Sequence, residues 1–297
     1  MGKEIRRVAV VLNSSAGALL GFATAEEDLR RAFAHAGLEA WFIPASAGSL
    51  SQRMAIAVKS NPDAVAVGGG DGTIACAASA LVSRGIPLAI LPCGTMNLLA
   101  RDLSIPTDDL EAAIAIIGNG SLRDLDVGEV NGHFFLCASM LGVPAWLGRT
   151  REDSRGAAWR AWVRMARAIW KQMLRTQRLR VTLVADGRPM PARAAALTIT
   201  VNPFTRSAGR AFGRAQLGSG QFGIYILDTF GIGVLLALAG RILFGRRNAR
   251  VREHVASEID IVGRSRAMRV MNDGELFLLV PPLHYRIWRG ALRVVAP

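Results

Sequence analysis

Apolar residues along the first 120 or so positions follow two alternating rhythms. Short unbroken runs, Val8–Leu12, Ala40–Ile43, Ala64–Val67 and Pro87–Leu91, have the length of strands buried on both faces. Between them, Thr24–His35, Leu50–Ser60 and Thr73–Ser83 carry apolar residues at helical spacing, and further helical pieces reach Ile117. Thr24, ahead of Glu26 and Glu27, reads as a helix N-cap. Strand and helix in alternation predict a parallel sheet covered on both faces. Ligands of such sheets sit beyond the carboxyl ends of the strands. Three polar segments fall at those ends: "NSSAG", "GGGDGT" and "PCGTMN".

From about Arg123 the texture changes to strand patterns. "RDLDVGEVNGHFFLCAS" alternates like a hairpin, and "RLRVTLVADGRPMPARAAALTITVN" reads as two strands joined by an Asp-Gly turn. "QFGIYIL", "EIDIVG", "AMRVMNDGELFLLV" and "HYRIWRGALRVVAP" continue the series. The expectation is an antiparallel β domain with two long interruptions, Arg155–Thr176 and Gly231–Phe244.

Charge bears on what the chain meets. Lysine and arginine number 36 against 23 acids, a net +13, and only Lys3, Lys59 and Lys171 are lysines. This balance favours anionic partners: nucleotides, nucleic acid or acidic lipid. Cys76, Cys93 and Cys137 lie far apart, with no CxxC and no histidine at ligand spacing, so they read as reduced packing residues without zinc. The N-terminal residues run straight into a strand pattern, with no secretory signal expected. Residue 6 is Arg6, so no myristoylation is expected. The longest uncharged apolar run, Thr229–Gly240, is too short to span a bilayer. The expected location is cytoplasmic, peripheral on the inner face of the membrane.

The stretch "VAVGGGDGT" places Gly68, Gly69, Gly70 and Gly72 around one carboxylate, Asp71. Successive glycines let backbone N–H groups converge on phosphate oxygens, and a helix starting near Thr73 would add its N-terminal dipole. Asp71 would repel bare phosphate, so a Mg²⁺-nucleotide is the natural ligand. A tight strand-to-helix turn explains the stretch equally well by itself. There is no Walker A motif and no dinucleotide fingerprint.

"VLNSSAG", "VAVGGGDGT", "LAILPCGTMNLLARDL" and "MNDGELFLLVPP", in this order and spacing, resemble the diacylglycerol kinase catalytic family, which includes sphingosine, ceramide and bacterial lipid kinases. The resemblance covers nearly the whole chain. It implies an α/β fold class: an N-terminal parallel α/β ATP-binding domain over residues 1–126, with a returning strand at 284–297, and a C-terminal antiparallel β-sandwich over 127–283 that accepts the lipid. It implies ATP and Mg²⁺ as cofactors and a lipid hydroxyl as acceptor. The nucleotide loops would be Asn13, Ser14, Ser15, Ala16 and Gly17, then Gly68 to Thr73, then Gly94, Thr95 and Asn97. Asp71 and Asp126 would serve the metal and its waters, while Asp273 and Glu275 resemble the catalytic acids. Phosphoryl transfer needs a carboxylate for the acceptor's proton, and either could supply it. Two apart on a strand, they would share one face.

Two departures stand out. Leu98 replaces a family aspartate after "GTMN", which removes one carboxylate from the metal network. Ser219 replaces an aspartate used by many bacterial members for a second metal, so no structural metal is expected there. The segment "RGAAWRAWVRMARAIWKQMLRTQRLR" would put Arg160, Arg164, Arg167 and Lys171 on one helical stripe with tryptophans beside it. That pattern suits an interfacial helix on anionic lipid, or a packing helix with a solvated face. Lipid at an anionic surface is the expected partner, without nucleic acid and with room for a homodimer. The competing readings are an NAD kinase-like enzyme, whose further signature is missing after GGDGT, and a catalytically silent nucleotide- or lipid-binding protein, which Leu98 favours. Adenine contacts from Ser46 or Ser49 stay open.

Overall fold

The computed structural model describes residues 4–13, 25–94, 97–142, 179–204, 214, 216–228 and 251–297. The chain divides into two compact units, Met1–Val127 with Arg289–Pro297, and Gly128–Trp288.

In the first unit the apolar runs are strands: β1 (Arg7–Leu12), β2 (Glu39–Ile43), β3 (Ala64–Gly69) and β4 (Leu88–Pro92). They pair in parallel in the order β2-β1-β3-β4, and Val294 near the C-terminus joins beside Leu88, also in parallel. Every residue of β3 and β4 is buried, as expected of central strands covered on both faces. Helices α1 (Ala25–His35), α2 (Leu50–Lys59), α3 (Asp71–Leu81), α4 (Leu98–Asp102) and α5 (Leu110–Asn119) intervene. Leu29 and Phe33 of α1 and Ile114 and Ile117 of α5 share one core with Val8, Val10, Ala64, Ala66, Ala89 and Leu91. Helices α2 and α3 pack on each other, α2 also against β1 and α3 against β3 and β4. Two starts are capped as their sequences allow. Ser49 and Gln52 form a reciprocal capping box on α2, and Asp109 accepts from the Ala112 N–H at 2.9 Å on α5. The cap expected at Thr24 lies outside the described residues.

The second unit is antiparallel. It takes up the end of β5 (Ser121–Val130), then β6 (His133–Phe135), β7 (Ala138–Gly142), β8 (Leu179–Ala185), β9 (Arg188–Ala194), β10 (Ala196–Val201), β11 (Phe222–Leu227), β12 (Val251–Ala256), β13 (Glu258–Gly263), β14 (Met268–Asn272), β15 (Glu275–Leu279) and the start of β16 (Leu283–Ala296). One layer runs β12-β11-β10-β7-β14-β15, and β16, β13, β8 and β9 pair in series in the other. Leu183, Ile259, Ile261 and Tyr285 of the latter pack with Leu141, Ile199, Phe222 and Val270 of the former. The stretch read as two strands around Asp186-Gly187 is three. The chain leaves β9 at Ala195 and β10 pairs with β7 and β11 in the other layer. The expected interruptions at 155–176 and 231–244 lie outside the described residues. Among the described residues no helix is long and apolar enough to cross a membrane.

Candidate functional site

The carboxyl ends of β1, β3 and β4 lie level: Leu12 is opposite Gly68, Gly68 opposite Leu91, and Gly69 opposite Pro92. Asn13 bridges them. Its N–H donates to the Gly68 carbonyl at 2.8 Å, and its Nδ2 donates to Thr73 Oγ1 at 2.8 Å. The loop after β1 is thereby tied to the first turn of α3. Ser14, Ser15, Ala16, Gly17 and Thr95 lie outside the described residues.

Close packing accounts for three of the glycines at this point. A Cβ on Gly68 would come within 2.6 Å of Leu12 Cδ2, and one on Gly69 within 2.5 Å of the Thr73 side chain. A Cβ on Gly94 would lie 2.5 Å from the Gly70 Cα, so the loops after β3 and β4 touch backbone to backbone. Asn97 locks the second of these. It is buried in the left-handed region at φ 47°, accepts from the Gly94 N–H at 2.9 Å, and donates through Nδ2 to the Gly94 carbonyl at 2.9 Å. Asparagine tolerates that backbone better than most residues.

Asp71 is inside α3 rather than in a loop before it. The helix starts two residues earlier than the apolar spacing suggests, because extended Gly70 acts as N-cap and an acid at the first helical position suits the dipole. Gly70 offers no side-chain cap. Asp71 Oδ1 accepts the Leu98 N–H at 2.6 Å, linking the starts of α3 and α4. Leu98 thus contributes its backbone here, whatever its side chain removes. Asp126, buried on β5, accepts the Gly290 N–H at 3.0 Å. Among the described residues no three His, Cys, Asp or Glu side chains gather as a metal cage. Mg²⁺ does not need one, since it commonly keeps several waters and uses one or two carboxylates plus substrate phosphates. Asp71, held through one oxygen, fits that manner of binding. Burial pushes the Cys93 thiol up to about 11, so beside this site it is a neutral packing group. Ser49 is occupied by its helix cap, and Ser46 is exposed in a short 3₁₀ turn.

In the second unit Asp273 and Glu275 do not share a strand face. Asp273 and Gly274 form the two-residue turn between β14 and β15, with φ 48° and 95°. That is the left-handed pair that a type I′ hairpin requires, and Asp-Gly favours it. The Asp273 carboxylate accepts three N–H groups, from Leu136 at 2.6 Å and from Cys137 and Ala138 at 2.9 Å. Burial raises its carboxyl above the ordinary value, opposed by those amides and by Arg214. Arg214 is buried and donates to the Leu136 and Val201 carbonyls at 2.6 and 2.9 Å. Glu275 is exposed at the start of β15, opposite Asn272, a buried residue whose amide atoms have no hydrogen-bond partner. At the second departure, Ser219 donates through N–H at 2.8 Å and through its hydroxyl at 2.5 Å to Asn202 Oδ1.

The motifs pass over one residue near the strand ends. Arg53 is buried on α2 together with Met54 and Ala57, and its Nη1 donates to the Leu12 carbonyl at 2.7 Å. Its signal is a cation on the apolar face of a helix, four residues from Ala57. The basic stripe of Arg160, Arg164, Arg167 and Lys171 lies outside the described residues.

The family model of the diacylglycerol kinase catalytic domain matches residues 7–130, bearing out the resemblance carried by "VLNSSAG", "VAVGGGDGT" and "LAILPCGTMNLLARDL". A diacylglycerol kinase of Mycobacterium tuberculosis is 40% identical over 77 residues, 26% of this chain and 25% of that protein. A diacylglycerol kinase of Bacillus subtilis is 38% identical over 76 residues, 25% of each. A probable lipid kinase YegS-like protein of Pseudomonas aeruginosa is 49% identical over 71 residues, 23% of each. The match therefore spans about a quarter of these relatives' length. A crystal structure of a putative diacylglycerol kinase from Bacillus anthracis superposes with TM-score 0.73, covering 100% of this chain and 99% of that one at 19% identity. At that identity the likeness establishes the fold.

Proposed function

We propose that the chain is an ATP-dependent lipid kinase that transfers the γ-phosphoryl group to a lipid hydroxyl. The observation that carries this reading is Asp71, seated at the uncapped start of α3 among the level ends of β1, β3 and β4 and oriented by the Leu98 N–H. A helix start whose N-cap is a glycine, without a capping side chain of its own, suits phosphate, and a carboxylate beside it suits the accompanying cation. Asp71 and Asp126 would hold Mg²⁺, which when bound neutralises phosphate charge during transfer. The loops locked by Asn13 and Asn97 would fix the phosphate chain. In the reaction the lipid hydroxyl gives its proton to a carboxylate, its oxygen bonds to the γ-phosphorus, and the bond to the bridging oxygen breaks to release ADP. Glu275 suits the proton acceptor better than Asp273, whose carboxylate already accepts three amides.

The test is a lipid panel. Purified protein with labelled ATP and Mg²⁺ is expected to label at least one of diacylglycerol, ceramide, a sphingoid base or phosphatidylglycerol in mixed micelles. Label in none of them, with phosphorylation of NAD instead, would overturn the reading in favour of the NAD kinase-like alternative.

The lipid would be met at an anionic surface, and the β14–β15 hairpin supports this. Phe277 and Leu279 point into the core, so Leu276, Leu278 and Val280 point away from it. These three are 41%, 68% and 68% exposed, the first two on the edge strand β15 and Val280 just past its end. Arg269 pairs across from Leu278, Arg264 and Arg266 precede β14, all three are exposed, and no acid lies between Ile261 and Asn272. An apolar ridge with arginines beside it suits insertion among anionic headgroups. Leu278→Glu is expected to weaken flotation with vesicles containing phosphatidylglycerol by about tenfold, leaving the melting temperature unchanged. Unchanged flotation would remove the ridge from the lipid surface. A wild-type dimer that this variant dissociates, with flotation unchanged, would assign it to contact between copies.

A further inference from the structure

Arg53 has the environment of a residue waiting for an anion. The residue is 6% exposed, and among the described residues it forms no ion pair. Buried arginine is rare without a counter-charge, because a cation removed from water and left unpaired is strongly unfavourable. Its hydrogen bond from Nη1 to the Leu12 carbonyl at 2.7 Å places the guanidinium at the carboxyl end of β1. Leu12 stands opposite Gly68, and the next residue, Asn13, reaches Thr73. The buried Nε has no partner. That N–H lies on the guanidinium edge that pairs bidentately with phosphate and carboxylate oxygens. Helix α2 carries no acid, and Asp71 is engaged by Leu98.

We infer that Arg53 is an anion-binding residue that takes the phosphate chain of the bound nucleotide. This rests on the lipid-kinase reading for the identity of the anion, since a free polyphosphate would satisfy the same edge. The bound phosphate supplies the missing counter-charge and the acceptor for Nε. The position costs stability in the empty protein and returns it on binding. The ligand is thereby selected for negative charge at this end of the sheet, independently of adenine.

Calorimetric titration of the full-length protein with ATP, ADP, inorganic pyrophosphate and adenosine, without lipid or Mg²⁺, tests this. Arg53→Met is expected to weaken ATP and pyrophosphate by about 10- to 100-fold, from loss of a charged hydrogen-bonding pair, with adenosine unchanged. Arg53→Lys keeps a donor for the Leu12 carbonyl but not the fork, and is expected to fall between. Pyrophosphate should raise the melting temperature of the wild type and not of Arg53→Met, a response that a purely structural arginine would leave intact. If Arg53→Met does not fold, Arg53→Lys decides. Wild-type affinity for ATP and pyrophosphate in the folded variants would overturn the inference. A wild type that binds pyrophosphate through Arg53 yet phosphorylates no lipid would sink the kinase reading alone. Lipid phosphorylation with anion affinity indifferent to Arg53 would sink this inference alone.

Discussion

Asp71→Asn is expected to lower kcat for lipid phosphorylation by about 10²- to 10³-fold, the size of effect seen when one preorganised electrostatic group is lost. The substitution is chosen because it separates charge from structure. Asparagine keeps Oδ1, so the Leu98 N–H can still find its acceptor and the starts of α3 and α4 stay joined. What disappears is the negative charge beside the proposed phosphate loops. The melting temperature should therefore move by no more than a degree or two, while raised Mg²⁺ partly restores the rate. Asp71→Ala is expected to lose as much activity and, in addition, to leave the Leu98 N–H unsatisfied, which costs about 1–3 kcal/mol. Near-normal turnover in folded Asp71→Asn would show that this carboxylate does not serve the reaction.

Glu275→Gln should reduce kcat by about 10²- to 10⁴-fold, the usual contribution of a positioned general base, in a protein that still folds, because Glu275 is exposed at a strand start. The acid limb of its kcat/KM profile should vanish, since that limb reports protonation of the base. Asp273→Asn should behave differently. The asparagine amide cannot accept the Leu136 N–H that Asp273 Oδ2 accepts at 2.6 Å, so a donor is left facing a donor. The turn between β14 and β15 should loosen and the melting temperature fall. Activity should drop through misplacement of Glu275, with the acid limb still present. Loss of that limb in Asp273→Asn and its survival in Glu275→Gln would reverse the two roles.

That distinction shows where sequence reading stops. "NDGE" was legible as a hairpin turn, because Asp-Gly supplies two residues that accept positive φ. Its alternative reading, two acids on one strand face, assumed an extended backbone at Asp273 that the turn forbids. The three amides on Asp273 come from residues 135 to 137 positions earlier in the chain, and no local pattern announces them. "GGGDGT" carries a similar lesson. Its position after a buried strand suited a ligand site and a tight turn alike. The tight approach of Gly70 to Gly94, however, depends on how two separate loops meet.

Periodicity alone determined the parallel α/β half, because fully buried strands and amphipathic helices leave different spacings of apolar residues. It also marked the strand ends where the glycine-bearing segments fall, and the antiparallel character of the rest. Tertiary structure decided which polar groups are already satisfied. It gave Asp71 to Leu98, Asp126 to Gly290, Asp273 to three amides and Ser49 to its own helix, and it left Arg53 buried with no counter-charge among the described residues. The physical reason is that backbone preference is local, whereas the hydrogen-bond partner of a buried group depends on which distant segment packs beside it.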